Sequence, residues 1–259
     1  MPSFRNRVAL LLLALAIAAA WAYARLRERR ERTGWERPVD VVVYVLGGAE
    51  PGAVTRLGRT LERLAARLAE DRAMLASGPE PFRFEVVGPI EPARSPPVAP
   101  PGPSPWDRTL HAIALWRAER AVREAAPDPD PRAFDVRVYV LAAPGGRRAF
   151  AEGSGAAGGE VGVVRGTLEG DALLAATAVV HEALHALGAT DKYDAGGHAV
   201  APGGLYDPGR APPYPQARAE IMVGELPLAP GEGRVPESPD EIGIGPETAR
   251  EIGWLPAGG

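Results

Sequence analysis

The segment from Val39 to Leu46 constrains the fold more than any other part of the chain. It reads VDVVVYVL, almost continuously apolar and rich in β-branched residues. That composition is typical of a strand buried on both faces, whereas a strand with one face in water alternates between apolar and polar residues. The chain is therefore expected to build a layered fold around this strand.

Helical and strand patterns alternate downstream of it. A leucine repeat at helical spacing begins at Leu57 and ends before Gly78-Pro79, and a second helix begins at Pro105 with Ser104 as its cap. Strands separated by helices predict an α/β or α+β fold, a mixed and mostly parallel sheet with packed helices. The further predicted strands are 82–87, 135–141 and 161–165, the last after a glycine-rich turn.

Glycine and proline dominate the chain after about residue 202, which predicts a loop-rich region with little secondary structure. One short helix is expected there, over 246–252. Pro246 suits its first position, and Gly253 can close it by taking a positive φ.

The amino terminus contains 17 uncharged residues, from Val8 to Ala24. As a helix this run reaches about 26 Å, close to a hydrocarbon core of about 30 Å. Arginines flank it on both sides, which favours a retained single-pass transmembrane helix over a cleaved signal peptide. We predict an anchor and basic juxtamembrane segment over 1–37 and a second domain over 38–259. The alternative is a secreted protein, because Ala-Tyr-Ala at 22–24 fits a cleavage site.

Composition excludes several kinds of site. The net charge of −4 and the pI near 5.7 argue against nucleic acid as a partner. The chain has no cysteine, so disulfides, thiolate ligands and a cysteine nucleophile are all excluded. Only four histidines remain as candidate nitrogen ligands for a metal.

Two of these histidines lie on one predicted helix. Asp171 can cap this helix, whose sequence ALLAATAVVHEALHALG is apolar nearly all round, as expected of a buried helix. His181 and His185 are four residues apart, so their imidazoles share one face and suit two corners of a tetrahedral zinc site. Glu182 lies about 100° round the helix, where its carboxylate can reach a water on the metal without being a ligand.

The residues that follow extend this pattern. Gly188 can end the helix with a positive φ and turn the chain back towards the metal. That turn would deliver Asp191 as a third ligand. A tight segment bearing Met222 comes later, with the sequence EIMVG at 220–224.

The string HEALHALGATD followed by IMVG resembles the metzincin signature of zinc peptidases. Most metzincins have histidine where this chain has Asp191, and an aspartate there is similar to the snapalysin-like branch. The motif as a whole, with its methionine turn, is similar to the snapalysin-like and matrixin-like branches. The resemblance implies an upper subdomain of sheet and helices over 38–188. It implies a lower, irregular subdomain over 189–259, with Met222 in a turn beneath the zinc.

Two alternatives for the third ligand stay open, because His198 and Asp194 also follow the helix. Three tyrosines downstream are candidates for stabilising an oxyanion: Tyr193, Tyr206 and Tyr214. The strand over 161–165 is expected to form the cleft edge that pairs with an extended substrate.

The sequence therefore predicts a zinc-dependent endopeptidase that acts on a peptide or protein substrate. His181, His185 and Asp191 would hold Zn²⁺, and Glu182 would be the catalytic base. The resemblance favours a catalytic domain outside the cytoplasm, attached to the lipid bilayer of the cell membrane through 8–24. The alternatives are a membrane-tethered zinc-binding domain without catalysis and a zinc hydrolase of a non-peptide amide.

Overall fold

A computed structural model describes residues 4–98, 102, 104–143, 151–155, 160–168 and 172–256. The helices are α1 Phe4–Arg32, α2 Pro51–Leu75, α3 Pro105–Ala125, α4 Ala172–Leu187 and α5 Pro246–Glu251. The strands are β1 Val39–Leu46, β2 Phe82–Ile90, β3 Val136–Ala142, β4 Ala151–Gly155, β5 Val161–Gly166, β6 Ala219–Glu220, β7 Leu226–Ala229, β8 Glu232–Arg234 and β9 Ile242–Gly243. Short 3₁₀ turns cover Pro131–Ala133 and Pro239–Glu241.

The central sheet has five strands in the order β2-β1-β3-β5-β4. Four of them run parallel, and only β4 runs antiparallel, beside β5. The predicted mixed, mostly parallel sheet with packed helices is therefore confirmed.

The side chains of β1 divide between two apolar clusters. Val41, Val43 and Val45 belong to a large cluster that includes apolar residues of α2 and α4. Tyr44 belongs to a second cluster with Val122 of α3. Both faces of β1 are thus covered, which is the physical reason for its unbroken apolar sequence.

The predicted cleft edge is wrong, because β5 lies inside the sheet between β3 and β4. The edge strand is β4, with the sequence AEGSG, in a stretch where a glycine-rich turn is expected. That sequence has no apolar alternation and few side chains that favour a strand, so only its antiparallel pairing with β5 makes it one.

The apolar helix α4 ends as its sequence predicts. Gly188 has φ +109°, its N–H donates to the carbonyl of His185 at 3.0 Å, and the N–H of Ala189 donates to the carbonyl of Leu184 at 3.0 Å. This pair of hydrogen bonds is the Schellman motif, which satisfies the last carbonyls of a helix. The predicted cap Asp171 lies outside the described residues.

Within the described residues, no helix combines the length and the apolar character that a membrane crossing requires. This finding gives no support to the transmembrane helix predicted over 8–24.

The segment after α1 belongs to the packed fold. Trp35 is only 5% exposed, and its indole N–H donates to the carbonyl of Ile252 at 2.6 Å. Its ring also packs edge-on against Phe82 and Trp254, with centroids 5.8 and 5.5 Å away. Trp35 therefore joins the start of the fold to β2 and to the region around α5.

Replacement of Trp35 by alanine should lower the free energy of unfolding by about 3–5 kcal/mol, since it removes a buried indole and leaves a cavity. Urea unfolding of the full-length protein measures the change. Trp106→Ala is the matched control, because Trp106 is 68% exposed and its removal should cost less than about 0.5 kcal/mol. Equal losses in the two variants would contradict the role assigned to Trp35.

Candidate metal centre

The helix α4 brings together the first three residues of the site. His181 and His185 face each other one turn apart, with ring centroids separated by 4.7 Å. The ligand atoms of these two histidines and of Glu182 all lie within 4.8 Å of one another. This group could hold a metal ion.

Each imidazole is fixed by a backbone carbonyl. His181 Nδ1 lies 3.1 Å from the carbonyl oxygen of Ile221, and His185 Nδ1 lies 2.9 Å from that of Ala189. Because a carbonyl oxygen only accepts hydrogen bonds, each Nδ1 must carry the proton and donate it. In a neutral ring the free lone pair is then on Nε2, the arrangement found in metal-binding histidines.

The loop after α4 brings Asp191 to both rings. Its Oδ1 lies 3.1 Å from His181 Nε2 and 3.3 Å from His185 Nε2. Ligand atoms at the corners of a tetrahedron around zinc, with bonds of 2.0–2.1 Å, would be about 3.3–3.4 Å apart. If both rings were neutral, their Nε2 lone pairs would face the negatively charged carboxylate of Asp191 and repel it. The arrangement therefore requires either a cation among these atoms or a proton shared between an imidazole and the carboxylate.

Two carboxylates, those of Asp191 and Glu182, could complete the set of ligands, and they differ in their surroundings. Asp191 is close to both Nε2 atoms and is 46% exposed. Glu182 instead packs against two glycines of the sheet. A Cβ added at Gly153 of β4 would overlap Glu182 Oε1, and a Cβ added at Gly162 of β5 would lie 2.7 Å from Glu182 Cβ. Asp191 therefore lies in front of both rings, and Glu182 lies beside them against the sheet.

Glu182 is a buried acid without a hydrogen-bond partner on one oxygen. The side chain is 3% exposed, and no group within the described part of the chain bonds to its Oε2. Burial raises the pKa of Glu182 from its ordinary value to about 7. An unsatisfied carboxylate of this kind is costly for stability alone, and it suits a group that exchanges a proton near neutral pH.

The residues of this cluster also shift one another's pKa values. Burial acts to lower the pKa of His181, but the hydrogen bond to Asp191 and the nearby Glu182 carboxylate outweigh it, and the pKa rises. Burial chiefly lowers the pKa of His185. The hydrogen bond with His181 lowers the pKa of Asp191. A neutral His185 and an ionised Asp191 suit metal ligation, whereas the raised pKa of His181 favours a protonated ring, whose Nε2 proton a bound cation would have to displace.

The segment with Met222 forms a tight turn. The N–H groups of Val223 and Gly224 donate to the carbonyl of Glu220 at 2.9 and 3.0 Å, and Gly224 has φ +78°. Met222 is fully buried in the large apolar cluster. One polar link from this turn to the site is the carbonyl of Ile221, which fixes the ring of His181.

The alternative ligands are engaged elsewhere. His198 Nδ1 lies 3.2 Å from both carboxylate oxygens of Glu225. Asp194 Oδ1 accepts hydrogen bonds from the backbone of Gly196 at 2.8 Å and of His198 at 3.1 Å. Neither residue takes the position that Asp191 occupies beside the rings.

Of the three candidate tyrosines, Tyr193 contacts the site. Its ring stacks towards His181 with centroids 6.5 Å apart, and its hydroxyl hydrogen-bonds to Asp191. Tyr206 donates to Asp71 at 2.8 Å in a separate polar network. Tyr214 has no hydrogen bond or ring contact within the described ranges.

Sequence reasoning missed two charged groups behind the site. Lys192, the single lysine of the chain, is buried against Glu251 with an N···O distance of 2.6 Å. Glu220 is fully buried and accepts hydrogen bonds from the backbone N–H of Gly245 and the hydroxyl of Thr248. The uniqueness of Lys192 in an arginine-rich chain is the one signal that could have drawn attention to it.

No family model matches this chain, and no curated protein is significantly similar to it. The interpretation of the site therefore depends on its geometry and chemistry.

Replacement of Gly188 by alanine should destabilise the fold by about 1–2 kcal/mol or more, because a φ of +109° places Cβ against the backbone. The same change should reduce metal binding, since Ala189 and Asp191 depend on this turn. Urea unfolding and metal titration of the purified protein measure the two effects. Gly231→Ala, also at positive φ but distant in sequence from the ligands, is the control and should affect stability alone.

The buried Glu220 should make stability depend on pH. Burial raises its pKa to about 7, above the ordinary value of 4.5, so the unfolded chain loses the proton first as pH rises. As pH rises from about 4.5 to about 7, Glu220 should therefore lower the free energy of unfolding by up to about 3 kcal/mol. Glu220→Gln, compared with the wild type by urea unfolding at pH 5 and pH 8, should lack that decline. Parallel pH profiles for the two proteins would refute the assignment.

Proposed function

We propose that the chain is a zinc-dependent peptidase of the metzincin type, with His181, His185 and Asp191 as ligands and Glu182 as general base. The observation that carries the proposal is the convergence of two imidazole Nε2 atoms on Asp191 Oδ1, at 3.1 and 3.3 Å, beside the buried Glu182, whose Oε2 has no hydrogen-bond partner among the described residues. Two nitrogens and one carboxylate oxygen leave a fourth tetrahedral position open for water or substrate, as in catalytic zinc sites.

Zinc bound here would act as a Lewis acid that polarises the scissile carbonyl and lowers the pKa of bound water. Glu182 would be placed to accept a proton from the attacking water and to return it to the leaving amine. Without a bound cation, burial raises the pKa of Glu182 to about 7, and a carboxyl group raised in this way is suited to accept and return a proton near neutral pH. The hydroxyl of Tyr193 is the candidate donor to the developing oxyanion.

The free edge of β4 supports a peptide as the substrate. This strand pairs with β5 along one side, and no strand of the described residues pairs with its other side. Gly153 places β4 directly against Glu182, so an extended backbone added to this edge would pass beside the general base. A small amide would make no use of such an edge.

The order of elements also supports the metzincin comparison. Sheet and helices precede Gly188, and short strands, turns and α5 follow it. The lower part carries Asp191 and the turn with Met222, as the resemblance implies. Membrane attachment through 8–24 and a location outside the cytoplasm stay predictions from the sequence.

Metal analysis and proteolysis of the purified full-length protein test the proposal together. The wild type should contain about one zinc per chain and cleave casein or a peptide library, and a chelator should abolish cleavage. Glu182→Gln should keep its zinc but lose about 100-fold or more in kcat, the usual contribution of general acid–base catalysis. His185→Ala and Asp191→Ala should contain substoichiometric zinc.

His198→Ala is the matched control, and it should keep both zinc and activity because His198 pairs with Glu225. A folded wild type without stoichiometric divalent metal would refute the proposal. Stoichiometric zinc without cleavage of any peptide would instead indicate a binding domain. Cleavage restricted to small amides would indicate a non-peptide hydrolase.

A further inference from the structure

Of the three proposed ligands, Asp191 is the one whose position is least fixed by its own part of the chain. The two histidines are held on a buried helix, but Asp191 lies on the loop after Gly188 with 46% of its side chain exposed. Its side-chain contacts are with the two histidines and Tyr193, all within the site. Something other than its own side chain must therefore fix its backbone.

The residues on either side of Asp191 both bind Glu251 of α5. Thr190 donates its backbone N–H to Glu251 Oε2 at 3.0 Å and its hydroxyl to Oε1 at 2.6 Å. Lys192 Nζ donates to Oε2 at 2.6 Å and also to the carbonyl of Thr190 at 3.1 Å. One carboxylate thus holds the chain immediately before and immediately after the ligand.

The backbone of Lys192 is held as well. Its N–H donates to the carbonyl of Met222 at 3.2 Å, and its carbonyl accepts from Val200 at 2.9 Å. Lys192 therefore joins the loop of Asp191 to the turn with Met222, in which the carbonyl of Ile221 fixes the ring of His181.

The support reaches further through α5. Glu220 binds Gly245 and Thr248 in the first part of this helix, and Glu251 lies at its end. The helix is therefore attached at one end to the turn with Met222 and at the other to the loop with Asp191. A displacement of α5 would move both supports of the site together.

A buried ion pair of this kind is weak evidence for stability. The side chain of Lys192 is 4% exposed, and the loss of hydration for two charges offsets much of their attraction. What the pair provides is geometry, because several hydrogen bonds to one carboxylate fix the loop in one arrangement. Residues that orient metal ligands in this way commonly contribute 10–100-fold to metal affinity.

We propose that Lys192, Thr190 and Glu251 are positioning residues that set Asp191 as the third metal ligand. The inference depends on the proposed function, since it assumes that Asp191 binds the metal. These residues act through Asp191, and they neither touch the ion nor take part in the proton transfers.

Zinc affinity in the Asp191→Ala background tests this inference. Lys192→Met and Thr190→Val should each weaken binding about 10–100-fold in the full-length protein, measured by zinc titration against a competing chelator. Each should have almost no further effect once Asp191→Ala is present, because residues that act through one ligand are not additive. Thr190→Ser keeps the hydroxyl and should keep wild-type affinity.

Arg234→Met is the control for loss of an ion pair in the same irregular region. Arg234 pairs with Glu241 at 2.6 Å, and its removal should leave zinc affinity unchanged. Thermal unfolding of the metal-free proteins separates lost affinity from lost stability. If Lys192→Met fails to fold, the two Thr190 variants carry the test, because Thr190 is exposed and its loss leaves no buried charge.

If Lys192→Met and Thr190→Val weakened zinc binding equally with and without Asp191→Ala, the positioning role would be overturned, but the proposed zinc site would not. Unchanged affinity in Lys192→Met and Thr190→Val would overturn it as well. A wild type that binds no zinc would refute the proposed function itself, and the positioning role with it. The failure of one proposal is therefore distinguishable from the failure of the other.

Discussion

Two hydrogen bonds from imidazole Nδ1 atoms to backbone carbonyls are the interactions on which the site depends. They decide which nitrogen of each ring carries the proton, and they leave both Nε2 lone pairs directed at one point beside Asp191. One carbonyl belongs to Ala189, within the turn that ends α4. The other belongs to Ile221, 40 residues after His181, so the lower part of the fold must pack correctly before the site exists.

The turn at Gly188 serves several purposes at once. It satisfies the last carbonyls of α4, presents the carbonyl of Ala189 to His185, and sends the chain towards Asp191. Since a side chain at φ +109° would be strained, glycine is the residue that meets all three needs. A helix end, a ring orientation and a ligand position are thereby fixed by one backbone conformation.

Buried charge is concentrated behind and beside the proposed metal position. Burial costs free energy for Glu182, Glu220 and the Lys192–Glu251 pair, and well-packed apolar side chains in their place would make the fold more stable. Glu220 and the ion pair are hydrogen-bonded and connect α5 to the site, whereas Glu182 Oε2 has no hydrogen-bond partner among the described residues. The hydrogen-bonded carboxylates hold the structure, and the unsatisfied one is the general base that we propose.

The sequence by itself determined the features that local spacing encodes. The unbroken apolar run of β1 required cover on both faces, the four-residue interval placed His181 and His185 on one side of α4, and Gly188 ended that helix. These follow from strand and helix periodicity and from the φ that glycine allows. Tertiary structure alone decided that Asp191 rather than His198 meets the rings, and that AEGSG forms the sheet edge. It also brought Lys192 to Glu251, because such contacts join segments far apart in the chain and depend on how the whole molecule packs.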